Sequence, residues 1–363
     1  MSDYKKVCFS CLTPYHVFVS YILSKTLYKN DYKILILSDH YHQEIYPRSI
    51  ALNLWDQVHF VEEKNRSQDF IQAQLQQIDL NQFDILHYFS WGSIFQLLLM
   101  KAVQSATQLI LTEEGIATYY IKEAVEHWKS KYSPYHDPID FGKVSEIWLF
   151  DTRLYVSELE KSLKNIGFHE YLDTDLKFEF CNELNHLFNY THQKQKWDIL
   201  FFDQPLALAH ITSQEEEKKL LSAIMKTVHP SNVLVKKHPT DHMEKYRDLD
   251  VNILPCDNIP WEIIYLNEYI ENNSILKDKI YITYNSSALL NTRILFKDLH
   301  PANLFISLNK LLSSFAAAPE INTLLEKYFQ RFKAFYGQYY SEIENLVDLE
   351  KLLHNRKSSS LPL

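Results

Sequence analysis

Short apolar runs alternate with longer stretches of helical period through the first part of the chain. Runs of strand length occur at Lys6–Leu12, Tyr32–Leu37, Val58–Val61, Asp84–Phe89, Gln108–Leu111 and Ser145–Phe150. Between them, apolar residues recur three and four apart over Tyr15–Tyr28, Ser67–Gln77 and Ile94–Gln104, the period of an amphipathic helix. This alternation predicts βαβ units and a parallel sheet. Residues 151–195 break the pattern: they are charged and helical, punctuated by aromatics, and end in the polar stretch Tyr190–Lys196, which reads as a linker. A second series follows, with strands at Trp197–Phe202, Asn232–Lys236, Val251–Leu254 and Lys279–Tyr284. Its helices are Ser213–Val228, opened by the capping box Ser213/Glu216, one opened by Pro260, and Ser286–Phe296.

The expected fold class is therefore α/β, with two Rossmann-like domains facing across a cleft. The expected boundaries are 1–195 (with 151–195 as a helical connection), 196–310, and a helical segment with a polar tail over 311–363. Ligands in such sheets bind outside the carboxyl ends of the strands. Candidate chemistry is sought there.

Composition narrows that chemistry. Only 5 of 363 residues are glycine, and they form neither a G-x-G-x-x-G nor a Walker A loop, so a glycine phosphate cradle is excluded. A net charge of -9 argues against a nucleic-acid partner. Four cysteines, two of them (Cys8 and Cys11) inside the first strand run, are too few and scattered for a disulfide framework and read as structural. Neither a signal peptide nor a run of 18 apolar residues is evident, so the expected location is the cytoplasm.

Polar groups recur after the predicted strands: Thr13-Pro14 after the first, Glu113-Glu114-Gly115 after the fifth, and Gln204-Pro205, Lys237-His238-Pro239 and Asn285-Ser286-Ser287 in the second series. Adjacent carboxylates at a strand end place one of the pair toward a ligand, where burial tunes it as a general base. Gly115 permits a tight turn and close approach of substrate. Lys237 and His238 would attract phosphate. Asn285, Ser286 and Ser287 open a helix, and hydroxyls with free helix amides bind phosphate without a glycine loop. Glu262, in the first turn after Pro260, could accept from ribose hydroxyls. Two other His-Pro pairs, His229-Pro230 and His300-Pro301, follow no strand and read as structural. The D-x-D triplets Asp173–Asp175 and Asp248–Asp250 read as solvated loops.

The ordered set [DE]-[DE]-G, H-P and S-S resembles that of the bacterial sialyltransferases. These comprise the lipooligosaccharide enzymes of glycosyltransferase family 52, the capsular polysialyltransferases and related multifunctional enzymes. The resemblance implies a GT-B fold and inverting transfer of sialic acid from CMP-sialic acid to a sugar hydroxyl, without metal or other cofactor. The acceptor it implies is an oligosaccharide of lipooligosaccharide or capsule, with the 3-hydroxyl of a terminal galactose as the expected site. By resemblance, Glu114 is the base with Glu113 as its alternative. His238 contacts the donor phosphate and assists CMP departure, and a protonated imidazole would do so most strongly. Ser286 and Ser287 bind the same phosphate, and Glu262 holds the ribose. Pro239, Asn285, Gln204 and Lys237 complete the donor side. Thr13, Pro14 and Gly115 belong to the acceptor side.

Two alternatives remain open from sequence: a transferase of the same fold using CMP-Kdo or a nucleotide hexose, and a nucleotide-sugar epimerase. A non-catalytic capsule-assembly component would keep the donor site without turnover. The aromatic and basic stretch Thr323–Tyr336 suggests a peripheral contact with the inner membrane, set against packing on its own domain. Oligomeric state is not indicated.

Overall fold

The computed structural model describes residues 4–40, 43–89, 93–132, 140–172, 175–193, 196–228, 233–241, 245–256, 258–271, 276–297, 303–312, 319–337 and 340–359. Gly92, Asp173, His229-Pro230 and His300-Pro301 lie outside them. The chain divides into two compact units, Met1–Thr191 with Ile259–Ile264, and His192–Asn258 with Tyr265–Leu363.

The first unit is built on strands β1 (Lys6–Cys11), β2 (Tyr32–Ser38), β3 (Gln57–Val61), β4 (Ile85–Tyr88), β5 (Gln108–Thr112), β6 (Val144–Leu149) and β7 (Ser162–Asn165). They pair in the order β3-β2-β1-β4-β5-β6-β7, all parallel. The second unit carries β8 (Ile199–Phe202), β9 (Val233–Lys236), β10 (Asn252–Ile253), β11 (Ile280–Thr283), β12 (Leu304–Ser307) and β13 (Tyr340–Glu342). Their order is β10-β9-β8-β11-β12-β13, again parallel throughout. Counted within each unit, both sheets run 3-2-1-4-5-6, the doubly wound Rossmann order, the first with one more strand at its edge. Two such units in succession are the parts of the expected GT-B fold. The topological switch point lies between β1 and β4 in the first sheet and between β8 and β11 in the second.

Parallel strands covered on both faces read as continuous apolar runs, and the central strands obey this: β8, β9, β11 and β12 are buried along their whole length. In the second unit, Phe201, Val233, Val235, Ile282 and Ile306 form the middle of the core. Cys8 and Cys11 lie in β1, buried and unlinked. Burial pushes the Cys11 thiol up to about 12, so it is an inert core residue.

Three expectations change. The segment 151–195 is not wholly helical, because Ser162–Asn165 adds to the sheet edge beside β6. The segment 311–363 is no separate appendage: β13 pairs with β12, and Leu349 and Leu353 of the last helix enter the second unit's core. Residues Ile259–Ile264 group with the first unit although they fall inside the second stretch of sequence. The helix Pro319–Tyr336 spends its apolar stripe inward, burying Leu324, Leu325, Tyr328, Phe329 and Phe332, with Phe329 and Phe332 against Tyr340. Among the described residues, no helix is long and apolar enough to cross a membrane.

Candidate active site

In the first unit, polar groups gather at the carboxyl ends of β1, β4 and β5. Thr13 caps the helix Pro14–Lys25, accepting from the His16 amide at 3.3 Å, with Pro14 at the first helical position. The His16 ring closes the capping box from the other side. Its Nδ1 accepts from the amides of Leu12 at 3.1 Å and Thr13 at 3.4 Å. Glutamate or glutamine ordinarily fills this place. With Nδ1 committed as acceptor, the ring proton sits on Nε2, and Nε2 lies 3.3 Å from the Glu114 carboxylate. Phe89, just past β4, stacks on the imidazole at 4.7 Å between centroids. Burial lowers His16 to about 3, so it is a neutral donor to Glu114 at physiological pH.

The two adjacent glutamates part company. Glu113 is 1% exposed. One of its oxygens accepts from the Tyr119 hydroxyl at 2.6 Å and the Phe150 amide at 2.7 Å, tying the end of β5 to the end of β6. Burial raises it to about 8, against those two hydrogen bonds, and Asp151 and Glu262 add to the rise. Glu114 faces the other way, with its side chain 17% exposed and its amide donating to the Thr118 hydroxyl. Glu262 is itself buried and bears on Glu113 within the first unit.

Gly115 has φ 144°, which L residues rarely adopt, and its carbonyl accepts from Thr118 to open a short 3-10 turn. The need for glycine is thus conformational before it is one of room for substrate. Gly115→Ala should lower stability by about 1–3 kcal/mol, the usual strain at such a position, which thermal or urea denaturation would measure. An unchanged midpoint would contradict this.

In the second unit, the expected donor-side residues lie at the ends of β8, β9 and β11, three neighbouring strands. His238 follows β9, and its Nδ1 accepts from the Thr240 amide at 3.3 Å beside the Thr240 hydroxyl at 2.8 Å. That leaves the proton on Nε2. Burial, then the Lys236 and Lys245 charges, lower His238 to about 4 against the pull of Asp241. The imidazole is therefore neutral near pH 7, not the protonated group anticipated from sequence. Lys236 turns away, donating to the Cys256 carbonyl, and Lys237 and Pro239 are partly exposed.

The Gln204 side chain accepts from the Asn285 amide at 2.8 Å, joining the turns after β8 and β11. The Ser286 amide donates to Thr283, and the Ser286 hydroxyl accepts from Ala288. Ser287 occupies the cap position of the helix Ala288–Phe296 without a side-chain capping bond. Both serines are partly exposed. Among the described residues, one trio of carboxylates is spaced to hold a metal ion, namely Asp203, Glu217 and Asp241. The Lys245 ammonium sits among all three. Asp248 and Asp250 are exposed, as a solvated loop requires.

A family model for alpha-2,8-polysialyltransferase (POLYST) matches residues 8–302. The chain belongs to the alpha-2,8-polysialyltransferase family. It is accordingly a glycosyltransferase of the sialyltransferase class. Of the three groups that its motifs resemble, the match is to the polysialyltransferases. The epimerase alternative drops away. No curated protein sequence matches the chain significantly.

Among solved structures, the GT-B domain of a sialyltransferase from Photobacterium damselae is similar at 11% identity and TM-score 0.47, over 93% of this chain and 99% of that one. A glycosyltransferase from Rickettsia africae is similar at 13% identity and TM-score 0.49, over 98% and 89%. The wall teichoic acid polymerase TagF stands at 10% identity and TM-score 0.43, over 99% and 90%. Likeness at this level leaves the fold to be read from the strand order above.

His16 is the residue that sequence reasoning passed over. The available signal was its register: it stands three residues after a Thr-Pro helix start, where a capping-box partner belongs.

Proposed function

We propose that this polysialyltransferase-family chain transfers sialic acid from CMP-sialic acid to a sugar hydroxyl by single inverting displacement, with Glu114 as the base. The observation that carries the reading is an accessible carboxylate held by a neutral imidazole whose other nitrogen is fixed by the backbone. In the reaction, Glu114 takes the proton of the acceptor hydroxyl as its oxygen attacks the anomeric carbon. The bond from that carbon to the phosphate oxygen breaks, and CMP leaves with the electron pair. His238, as an Nε2 donor, and the hydroxyls of Ser286 and Ser287 would hold the departing phosphate. CMP-sialic acid is a β-glycoside, so an α product requires inversion.

Glu113 is a supporting group in this reading. Its protonated, buried carboxyl fixes the turn that presents Glu114. CMP carries one phosphate, so its departure calls for less charge neutralisation than that of a diphosphate. The carboxylate trio is already balanced in part by Lys245. Both points favour metal-independent transfer.

The family name favours the 8-hydroxyl of a sialylated glycan over the galactose 3-hydroxyl expected from sequence. The reaction belongs in the cytoplasm, with Lys327, Arg331, Lys333 and Phe335, all exposed, as the surface open to an anionic membrane. The test is CMP release in EDTA with lactosyl and sialyl-lactosyl acceptors, beside thermal-shift titrations of CMP, UDP and GDP. CMP-selective stabilisation and acceptor-dependent release are expected. Preference for UDP or GDP would overturn the donor, and loss of activity in EDTA would overturn metal independence.

A further inference from the structure

A buried ionic cluster in the second unit is built from side chains that none of the assignments above gives to substrate. It is centred on Lys245, whose side chain is 1% exposed, as are those of Asp203, Glu217 and Asp241. Its ammonium lies 2.7 Å from Asp203, 2.5 Å from Asp241, in contact with Glu217, and 3.2 Å from the Gln204 carbonyl.

The four partners belong to three segments. Asp203 and Gln204 form the turn after β8. Asp241 lies in the turn of His238-Pro239 and donates its amide to the His238 carbonyl at 2.9 Å. Glu217 lies in the early turns of the helix Gln214–Val228, and its second oxygen accepts from the Ala207 amide at 2.7 Å. Gln204 passes the connection on, since its side chain accepts from the Asn285 amide beside Ser286. One cation thus reaches the exits of β8, β9 and β11.

A fully buried ion cluster is a poor source of stability, because desolvation offsets the Coulombic attraction. What it supplies is direction: four acceptors around one ammonium admit few arrangements of the segments that carry them. We propose that Lys245 is a positioning residue for the donor half of the site, holding the turns that carry His238, Gln204 and Asn285–Ser286 in one mutual arrangement. The proposal rests on the reading of those turns as the donor site.

The experiment is Lys245→Ala with n-propylammonium, which replaces the atoms removed. The donor KM should rise at least tenfold, with kcat and the acceptor KM changed less. Millimolar n-propylammonium should restore it, and n-propanol should not. A purely structural loss would depress every parameter together. Asp241→Asn keeps the lysine and reduces the tether to the His238 turn from an ion pair to a neutral hydrogen bond, and it should raise the donor KM severalfold in a protein that melts near the parent temperature. A wild-type donor KM in Asp241→Asn, or in a folded Lys245→Ala, would overturn the proposal, as would failure of the amine to restore it. Amide exchange at 203–207, 238–241 and 285–286 needs no substrate. It should quicken in Lys245→Ala and slow again with the amine, and exchange unchanged from wild type would also overturn the proposal. A wild-type chain that binds no CMP would sink the functional reading and leave this arm to decide the role of Lys245.

Discussion

Glu114→Gln should lower kcat by two to four orders of magnitude while Glu113→Gln retains most of it. The first change removes the proposed base, a group whose contribution in general-base catalysis is about 10²–10⁴-fold. It leaves the His16 contact available to the amide oxygen, so the fold should hold. The second replaces a carboxyl that is already protonated at neutral pH, and the amide oxygen can still accept from Tyr119 and Phe150. Steady-state CMP release under saturating donor measures both. Equal losses in the two variants would refute the division of roles, and near-normal turnover in Glu114→Gln would remove the base.

Glu113 adds a pH signature with a definite sign. Its folded value, about 8, lies above the ordinary carboxylate value, so the folded chain keeps a proton that the unfolded chain has lost. The stabilisation is complete below about pH 4.5, and it is lost as pH rises through 8. The size of the effect is on the order of a few kcal/mol. Wild-type chain should therefore melt lower at pH 9 than at pH 6 by more than Glu113→Gln does. A parallel pair of melting curves would count against the burial argument.

His238→Ala should cost about two to three orders of magnitude in kcat, the usual loss on removing one preorganised donor from a developing anion. The donor KM should rise as well. The structure gives the histidine a proton on Nε2 without a net charge. Because burial holds it near 4, the donor KM should vary by less than about threefold between pH 6 and 8. A tenfold rise in KM for each pH unit would show that the imidazolium is the binding form. Replacement by asparagine, which keeps an N–H donor, should lose less than replacement by alanine.

The central strands were legible because a strand buried on both faces has no polar position to confuse it. β1, β2, β8, β9 and β11 all read as apolar runs. The edge strand β7, with the sequence Ser-Leu-Lys-Asn, is mostly exposed and carries no such signal. β13 is only three residues long. The motif residues were visible in sequence, but the orientation of the adjacent glutamates was not. The inward turn of Glu113 goes with its contacts to the Tyr119 hydroxyl and the Phe150 amide, partners six and thirty-seven positions away that the motif itself does not announce. Glu262 looked like a free first-turn acid because nothing in the chain places it near Glu113. Lys245 was silent for the same reason. Its partners are scattered from Asp203 to Asp241 and meet only through the strand order.

The capping box at Thr13–His16 has a consequence for where the acceptor's proton goes. Both imidazole nitrogens of His16 are occupied, one by backbone amides and the other by its own hydrogen. The ring can steady Glu114 but has no lone pair left to relieve it. In the proposed reaction, Glu114 therefore cannot pass its proton inward through this ring. A proton taken up in that reaction must leave Glu114 by a route other than the imidazole before the next sugar can be activated.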